Sequence, residues 1–348
     1  MMGERHGDPA RSFGSRRWRR RAVVEGSMTQ GADQGPVAGR GTPPGGAEAT
    51  PDLYTPTLPD IPVMDGGVGP LYVVGDVHGY LDELRVALRE AGLTDADDHW
   101  AAGNARLWFL GDFTDRGPDG VGVLDLVMRL SAEAAAAGGY CKALLGNHEL
   151  LLIGASRFAD TPVDSAAGTA SFQAAWMLNG GQRTDMERLR DHHIQWMSRL
   201  DSMAVADGHL LVHSDTTSYL DYGSAVDDVN DAIWQALQRN DVGETWELFR
   251  KFTKRFAFRD EDGPGAVREL LDTFGGKRVV HGHSPIPYLT GETGGSDADP
   301  DGAGEDAPPG VEGPHVYADS LAIAMDGGVT MGGKLLVARL PLPDQDRA

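Results

Sequence analysis

The chain has 348 residues, 41% of them apolar, and carries a formal net charge of -21. That length allows one large domain or two ordinary ones with a sizeable core. The acidic balance argues against a sequence-independent grip on nucleic acid, which needs a basic face to neutralise phosphates. It leaves a small phosphorylated substrate open, because a local field or a bound ion overrides net charge.

Residues 1–65 are rich in Gly, Pro, Ala and charge, without apolar periodicity, and read as a disordered tail. Within it, Arg16-Arg17-Trp18-Arg19-Arg20-Arg21 is followed only by Ala22, Val23 and Val24 before Glu25. No apolar export segment is present there, and Met28 is an alternative start. No stretch approaches the roughly 20 apolar residues that span a bilayer. The single cysteine, Cys141, excludes an intrachain disulfide framework, reads as a small buried residue, and points to a reducing cytoplasm.

The folded region is expected over 66–342, with a short tail over 343–348. Short apolar runs bounded by Gly predict strands at 71–75, 107–111, 141–146, 209–213, 278–281, 321–325 and 334–339. Helical stripes cover Tyr80 to Ala91 (Leu81, Leu84, Leu88) and Gly120 to Ala137 (Val121, Leu124, Met128). Segments 160–200 and 225–256 read as mostly helical. The aromatic stripe of the second, Trp234, Trp246, Phe249, Phe252 and Phe256, reads as core packing, with base stacking as the alternative. The acidic, Gly/Pro-rich stretch 291–314 lacks ordered calcium-ligand spacing and reads as a solvated loop.

Four motifs arrive where strands should end: Gly75-Asp76-Val77-His78-Gly79, Gly111-Asp112-Phe113-Thr114-Asp115-Arg116-Gly117, Gly146-Asn147-His148-Glu149 and Gly282-His283. In an open α/β sheet that edge is where ligands bind. Asp76, His78, Asp112, Asn147, His213 and His283 form a mixed oxygen and nitrogen donor set suited to Mn, Fe or Zn. Asp112 could bridge two ions. A pair about 3.5–4 Å apart acidifies bound water from about 15.7 toward about 7. Arg116 offers a planar fork of donors for phosphate oxygens, together with Asn147 as a substrate contact. His148 could protonate a leaving oxygen, and Asp115 could hold that imidazole in the needed tautomer. Glu149 reads as support for its loop. His281 competes with His283 for the last ligand position and otherwise lines the site. His192 and His193 read as surface residues, and His99, His209 and His315 belong to no constellation.

Taken in order, these motifs resemble the calcineurin-like metallophosphoesterases. The Asp115-Arg116 pair and the Gly-Asn-His-Glu form resemble the phosphoprotein (serine/threonine) phosphatase branch and its bacterial relatives. The resemblance runs from Leu71 to Leu340. It implies an α/β four-layer sandwich: two facing mixed β-sheets flanked by helices. It implies two divalent ions, manganese first, at Asp76, His78, Asp112, Asn147, His213 and His283. It also implies an acid at His148 with Asp115, and phosphate binding at Arg116. Two departures stand out. The pattern continues the fourth ligand as His-Gly-Gly or His-Ala-Gly, where this chain has His213-Ser214-Asp215. Asp215 could alter metal affinity, repel an anion or point away. A further phosphate-binding arginine is expected before the last ligand, with Arg259 favoured over Arg255. The expected activity is hydrolysis of phosphate monoesters on protein or small molecule by a metal-bridging hydroxide. A nucleotide hydrolase is the alternative, and a non-catalytic phospho-partner-binding pseudoenzyme the reading from another class.

Overall fold

The computed structural model describes residues 68–165, 168–291 and 311–343, all within one unit, Val63–Ala348. The expected tail over 1–65, all of 343–348 but Pro343, and the loop over 291–314 apart from Gly291 and 311–314 lie outside the described residues. In chain order the elements begin β1 (Leu71–Val74), α1 (Leu81–Glu90), β2 (Arg106–Phe109), α2 (Gly120–Ala136), β3 (Tyr140–Ala143) and α3 (Asn147–Phe158). There follow β4 (Val163–Ser165), β5 (Gly168–Ala170), α4 (Phe172–Leu178), α5 (Arg183–Arg188), α6 (Asp191–Met197), β6 (Met203–Ala206) and β7 (His209–Val212). The remainder is α7 (Val226–Arg239), α8 (Val242–Phe252), α9 (Gly263–Phe274), β8 (Arg278–His281), α10 (Ile286–Leu289), β9 (His315–Tyr317), β10 (Ala322–Ala324) and β11 (Val337–Leu340).

One sheet has the order β11-β1-β2-β3 and the other β6-β7-β8-β10-β9. Each is mixed. In the first, β1, β2 and β3 are parallel and β11 antiparallel; in the second, β7, β8 and β10 are parallel between antiparallel edges β6 and β9. Side chains alternate across each strand, and this alternation builds the layers. Leu71 and Val73 of β1, Trp108 of β2, Leu211 of β7, Val280 of β8, Ile323 of β10 and Ala338 of β11 share one core between the sheets. Their neighbours Val74, Leu107, Phe109, Leu210, Val212, Val279 and Ala322 face the other way, into the core formed with the helices. The expected four-layer sandwich is therefore present.

Helix α1 buries Leu81, Leu84 and Leu88, the stripe read from sequence. Its acidic first turn (Asp82, Glu83) and basic last turn (Arg89) complement the helix dipole. Helix α2 is capped by Asp119, which accepts from Gly122 N at 2.7 Å. The buried carboxylate of Asp185 accepts from Gly120 N and Val121 N in the same first turn.

Several elements differ from expectation. The closing strand begins at Val337, because Lys334 and Leu336 bond outside the ladder, to Gly327 and Gly75. Segment 160–200 holds three short helices but also the β4-β5 hairpin. Strand β6 was not expected, although Asp207-Gly208, both at positive φ, is a two-residue hairpin signal. Segment 225–256 is helical, and Trp246, Phe249 and Phe252 pack against Phe172 and Tyr219 inside the core. Of that stripe, Trp234 is exposed. Cys141 is buried, and burial raises its thiol pKa. No helix among the described residues is long and apolar enough to cross a membrane.

Candidate active site

Each sheet sends three parallel strands to one common edge. The first sheet delivers Asp76 and His78 after β1, Asp112 after β2 and Asn147 after β3. The second delivers His213 after β7, His283 after β8 and Asp326 after β10. All seven side chains are buried. A polar set of this size at the bottom of a sandwich is costly unless paired or metal-bound.

The backbone is shaped for the task. His78, Asp112, Asp115, Arg116 and His283 all have φ between 48° and 70°. Non-glycine residues seldom adopt that region, and strain of about 1–3 kcal/mol per residue persists where the surroundings over-determine it. Two glycines make the close approaches possible. A Cβ at Gly146 would collide with the Asp112 carboxylate, and one at Gly282 with that of Asp76. Glu149 ties the turns together: its carboxylate accepts from Asp112 N (2.8 Å), Phe113 N (2.8 Å) and Gly146 N (3.1 Å). It supports the loop, as expected.

The donor atoms fall into two overlapping groups, His78 with Asp112 and His148, and Asp112 with His213 and His283. Within each group the ligand atoms lie within 4.8 Å of one another. Asp112 belongs to both, so its two carboxylate oxygens face different imidazoles. Its Oδ2 is 3.7 Å from His78 Nε2 and its Oδ1 is 3.3 Å from His213 Nε2. Asp76 Oδ2 lies 3.9 Å from His78 Nε2, and Asn147 Oδ1 lies 2.9 Å from His213 Nε2. The outer nitrogens are engaged by backbone: His78 Nδ1 faces Thr114 O and His213 Nδ1 faces Leu110 O, leaving Nε2 toward the centre. That second contact is how proteins orient a metal-binding imidazole.

Electrostatics agree with cation binding. Burial, then the charges of Asp326 and Asp112, raises Asp76 well above the carboxylate range. Burial raises Asp112 to about 7 and Asp326 in the same direction. Burial lowers His78 and His283 well below the imidazole range, and His213 to about 3. Crowded carboxylates beside neutral imidazoles form a donor set whose charge a divalent cation offsets. The residues present fit such ions.

Above them, Arg116 sits between two imidazoles, with Nη1 3.4 Å from His78 Nε2 and Nη2 3.3 Å from His148 Nε2. Its Nε is buried without a partner, and no carboxylate pairs with the guanidinium among the described residues. His148 Nδ1 is 2.7 Å from Asp115 Oδ2, and Trp176 Nε1 donates to the other oxygen at 2.6 Å. Burial, then the Arg116 charge, holds His148 well below its ordinary range, while burial raises Asp115.

Arg116, Asn147, His148, Arg255 and Tyr288 line a cavity of about 410 Å³, and Arg116, Arg255 and Tyr288 also border a second of about 380 Å³. Arg259, favoured from sequence, lines neither. Its guanidinium stacks on Phe256 at 4.3 Å, and its Nε is 3.5 Å from Asp260. The structure thus brings Arg255, and not Arg259, to the cavity walls.

His192 is exposed as expected, but His193 needs correction. His193 is buried, accepts from Arg190 N through Nδ1 and meets Asp125 through Nε2. With Nδ1 accepting, Nε2 keeps its proton, so this His/His/Asp cluster is a capped helix start rather than a metal site. His281 lies behind the site against Gly282 O and the Tyr317 hydroxyl. Sequence reading missed Asp326 and Trp176. Asp326 had a signal, since Asp326-Gly327 follows a buried strand as Asp-x or Asn-x does in the other motifs. Trp176 had none.

The model of the calcineurin-like phosphoesterase family matches residues 69–287. The chain belongs to this family. It is similar to the Shewanella-like protein phosphatase 2 of Arabidopsis thaliana, 39% identical over 83 residues, which are 24% of this chain and 21% of that one. It is also similar to the symmetrical bis(5'-nucleosyl)-tetraphosphatase of Vibrio parahaemolyticus, 27% identical over 154 residues, 44% of this chain and 47% of that one. The chain thus spans less than half the length of these curated relatives. In three dimensions it resembles a cold-active protein tyrosine phosphatase of a psychrophilic Shewanella species, with TM-score 0.53, 20% identity, and 78% and 75% of the two chains covered. At that identity the likeness shows the fold.

Proposed function

We propose that this metallophosphoesterase hydrolyses phosphate monoesters, on proteins or small molecules, with two manganese ions at Asp76, His78, Asp112, Asn147, His213 and His283. The observation that supports it most is Arg116. An unpaired guanidinium poised over two donor groups that share one carboxylate is a receptor for a phosphoryl group. Two divalent ions there supply Lewis acidity and a hydroxide source near neutral pH.

The chain's own residues do the rest. Arg116 and Arg255 hold phosphate oxygens from the cavity wall. Asp115 keeps the proton of His148 on Nδ1 and fixes the ring. Burial and then the Arg116 charge depress His148; a docked phosphoryl group offsets that charge, so Nε2 takes up a proton from solvent and gives it to the leaving oxygen. Trp176 holds Asp115. Trp246, Phe249 and Phe252 of the aromatic segment are packed into the core and closed to base stacking, whereas Phe256 lines the cavity beside Arg255. We place the protein in the cytoplasm, with its catalytic domain over 66–342.

The test is hydrolysis of p-nitrophenyl phosphate by the full chain, with and without manganese, beside Asp112→Asn. Manganese-dependent turnover that the variant lacks is expected. Equal turnover by both proteins would sink the proposal, as would bound metal without turnover on any monoester.

A further inference from the structure

We infer that Asp215, the residue standing where the family pattern has glycine, is a positioning residue for Arg255 and for the turn that carries His283. The inference rests on the phosphatase reading above. Asp215 is fully buried, two residues past His213. Both carboxylate oxygens are committed. Oδ1 accepts from Ser284 Oγ at 2.6 Å, and Oδ2 accepts from Phe256 N at 2.8 Å. Its carbonyl accepts from Ala257 N at 3.0 Å. One side chain therefore joins three segments that are distant in sequence: the end of β7, the stretch after α8, and the turn after β8.

The stretch after α8 needs that clamp. Phe256 has φ 68°, a genuine outlier for a bulky residue, which persists where neighbours over-determine it. Asp215 bonds the amide of this strained residue, and the adjoining Arg255 borders both cavities beside Arg116. On the other side, Ser284 follows His283, itself at φ 64°, whose amide bonds the carboxylate of Asp76. A glycine at 215 would leave the Phe256 amide and the Ser284 hydroxyl without their acceptor. The departure from the family pattern thus turns its charge away from the anion and toward the scaffold.

The test reads inorganic phosphate binding by calorimetry on the manganese-loaded full chain, with p-nitrophenyl phosphate kinetics alongside. Asp215→Ala should weaken phosphate and raise KM about tenfold, the size of one lost hydrogen bond to a charged group, while kcat changes less. Asp215→Asn keeps an acceptor for Phe256 N and can donate to Ser284, so it should recover most of the loss. Should the alanine variant not fold, Ser284→Ala removes one of the two side-chain contacts and should also weaken phosphate, wild-type binding there counting against the inference. In a cycle with Arg255→Ala, the loss from Asp215→Ala should be smaller in the Arg255→Ala background than in wild type, leaving only the part that passes through the His283 turn. Additive losses, or wild-type phosphate binding in Asp215→Ala, would overturn the inference and leave the phosphatase reading intact. A wild-type chain that neither binds nor hydrolyses phosphate esters would overturn both.

Discussion

His148 Nδ1 lies 2.7 Å from Asp115 Oδ2, while Trp176 Nε1 holds the other oxygen of that carboxylate at 2.6 Å. The indole fixes the carboxylate and the carboxylate fixes the imidazole, so Nε2 is left facing Arg116 at the cavity. Asp115→Asn should lower kcat by about 10²–10⁴-fold, the usual range for general acid–base catalysis. The loss should be larger on phenyl phosphate, whose leaving group needs the proton, than on p-nitrophenyl phosphate. Equal losses on both esters would exclude the acid role.

Arg116 and Arg255 share the cavity wall that Arg259 does not reach. Arg255→Ala should raise KM about ten- to a hundredfold, the cost of a charge-assisted hydrogen bond of about 1.5–3 kcal/mol. Arg116→Ala should lower kcat as well, because that guanidinium also contacts His148. Arg259→Ala should stay within about twofold, a surface-type effect. Steady-state kinetics on the three variants checks the order; an Arg259→Ala defect matching that of Arg255→Ala would contradict it.

Glu149 accepts three backbone N–H groups from two motifs. Burial and the Asp112 charge push its pKa up to about 8, against the pull of those donors. In Glu149→Gln the amide group would face an N–H donor, leaving it unsatisfied. We expect a loss of about 1–3 kcal/mol, read as a lower urea midpoint in the presence of chelator. An unchanged midpoint would mean that the turns hold without it.

His209 begins β7 with its Nδ1 buried and unpartnered. Burial lowers its pKa from 6.5, against contacts with the Ala206 and Asp207 carbonyls. The folded value lies below the unfolded one, so the unfolded chain binds the proton more readily. Its stabilising share is present above about pH 6.5 and is lost as pH falls through the folded value. Urea unfolding between pH 8 and pH 5 should show a steeper acid loss for wild type than for His209→Gln. Parallel curves would remove the assignment.

Much of the site was legible because its motifs are local. Asp76 with His78, and Asp112 with Asp115 and Arg116, each sit within a few residues of a strand tip, where apolar run, glycine and polar side chain write one turn. The helical stripe of α1 was legible for the same reason: Leu81, Leu84 and Leu88 recur at the helix period. The choice between Arg255 and Arg259 was not. Both follow α8 in irregular chain, and no periodicity orients them.

What the sequence by itself determined is the donor inventory and the strand tips that carry it, with the sandwich implied by the resemblance of the ordered motifs to a known family. These depend on contiguous residues and on burial preference. Tertiary structure alone decided which groups meet. His283 N reaches Asp76 across 207 residues, His213 Nε2 reaches Asn147 across 66, and Phe256 N finds Asp215 across 41. It also buried His193, sent Trp176 to Asp115 and brought Asp326 beside Asp76. Such contacts arise from how two sheets and their helices pack, which no window of neighbouring residues encodes.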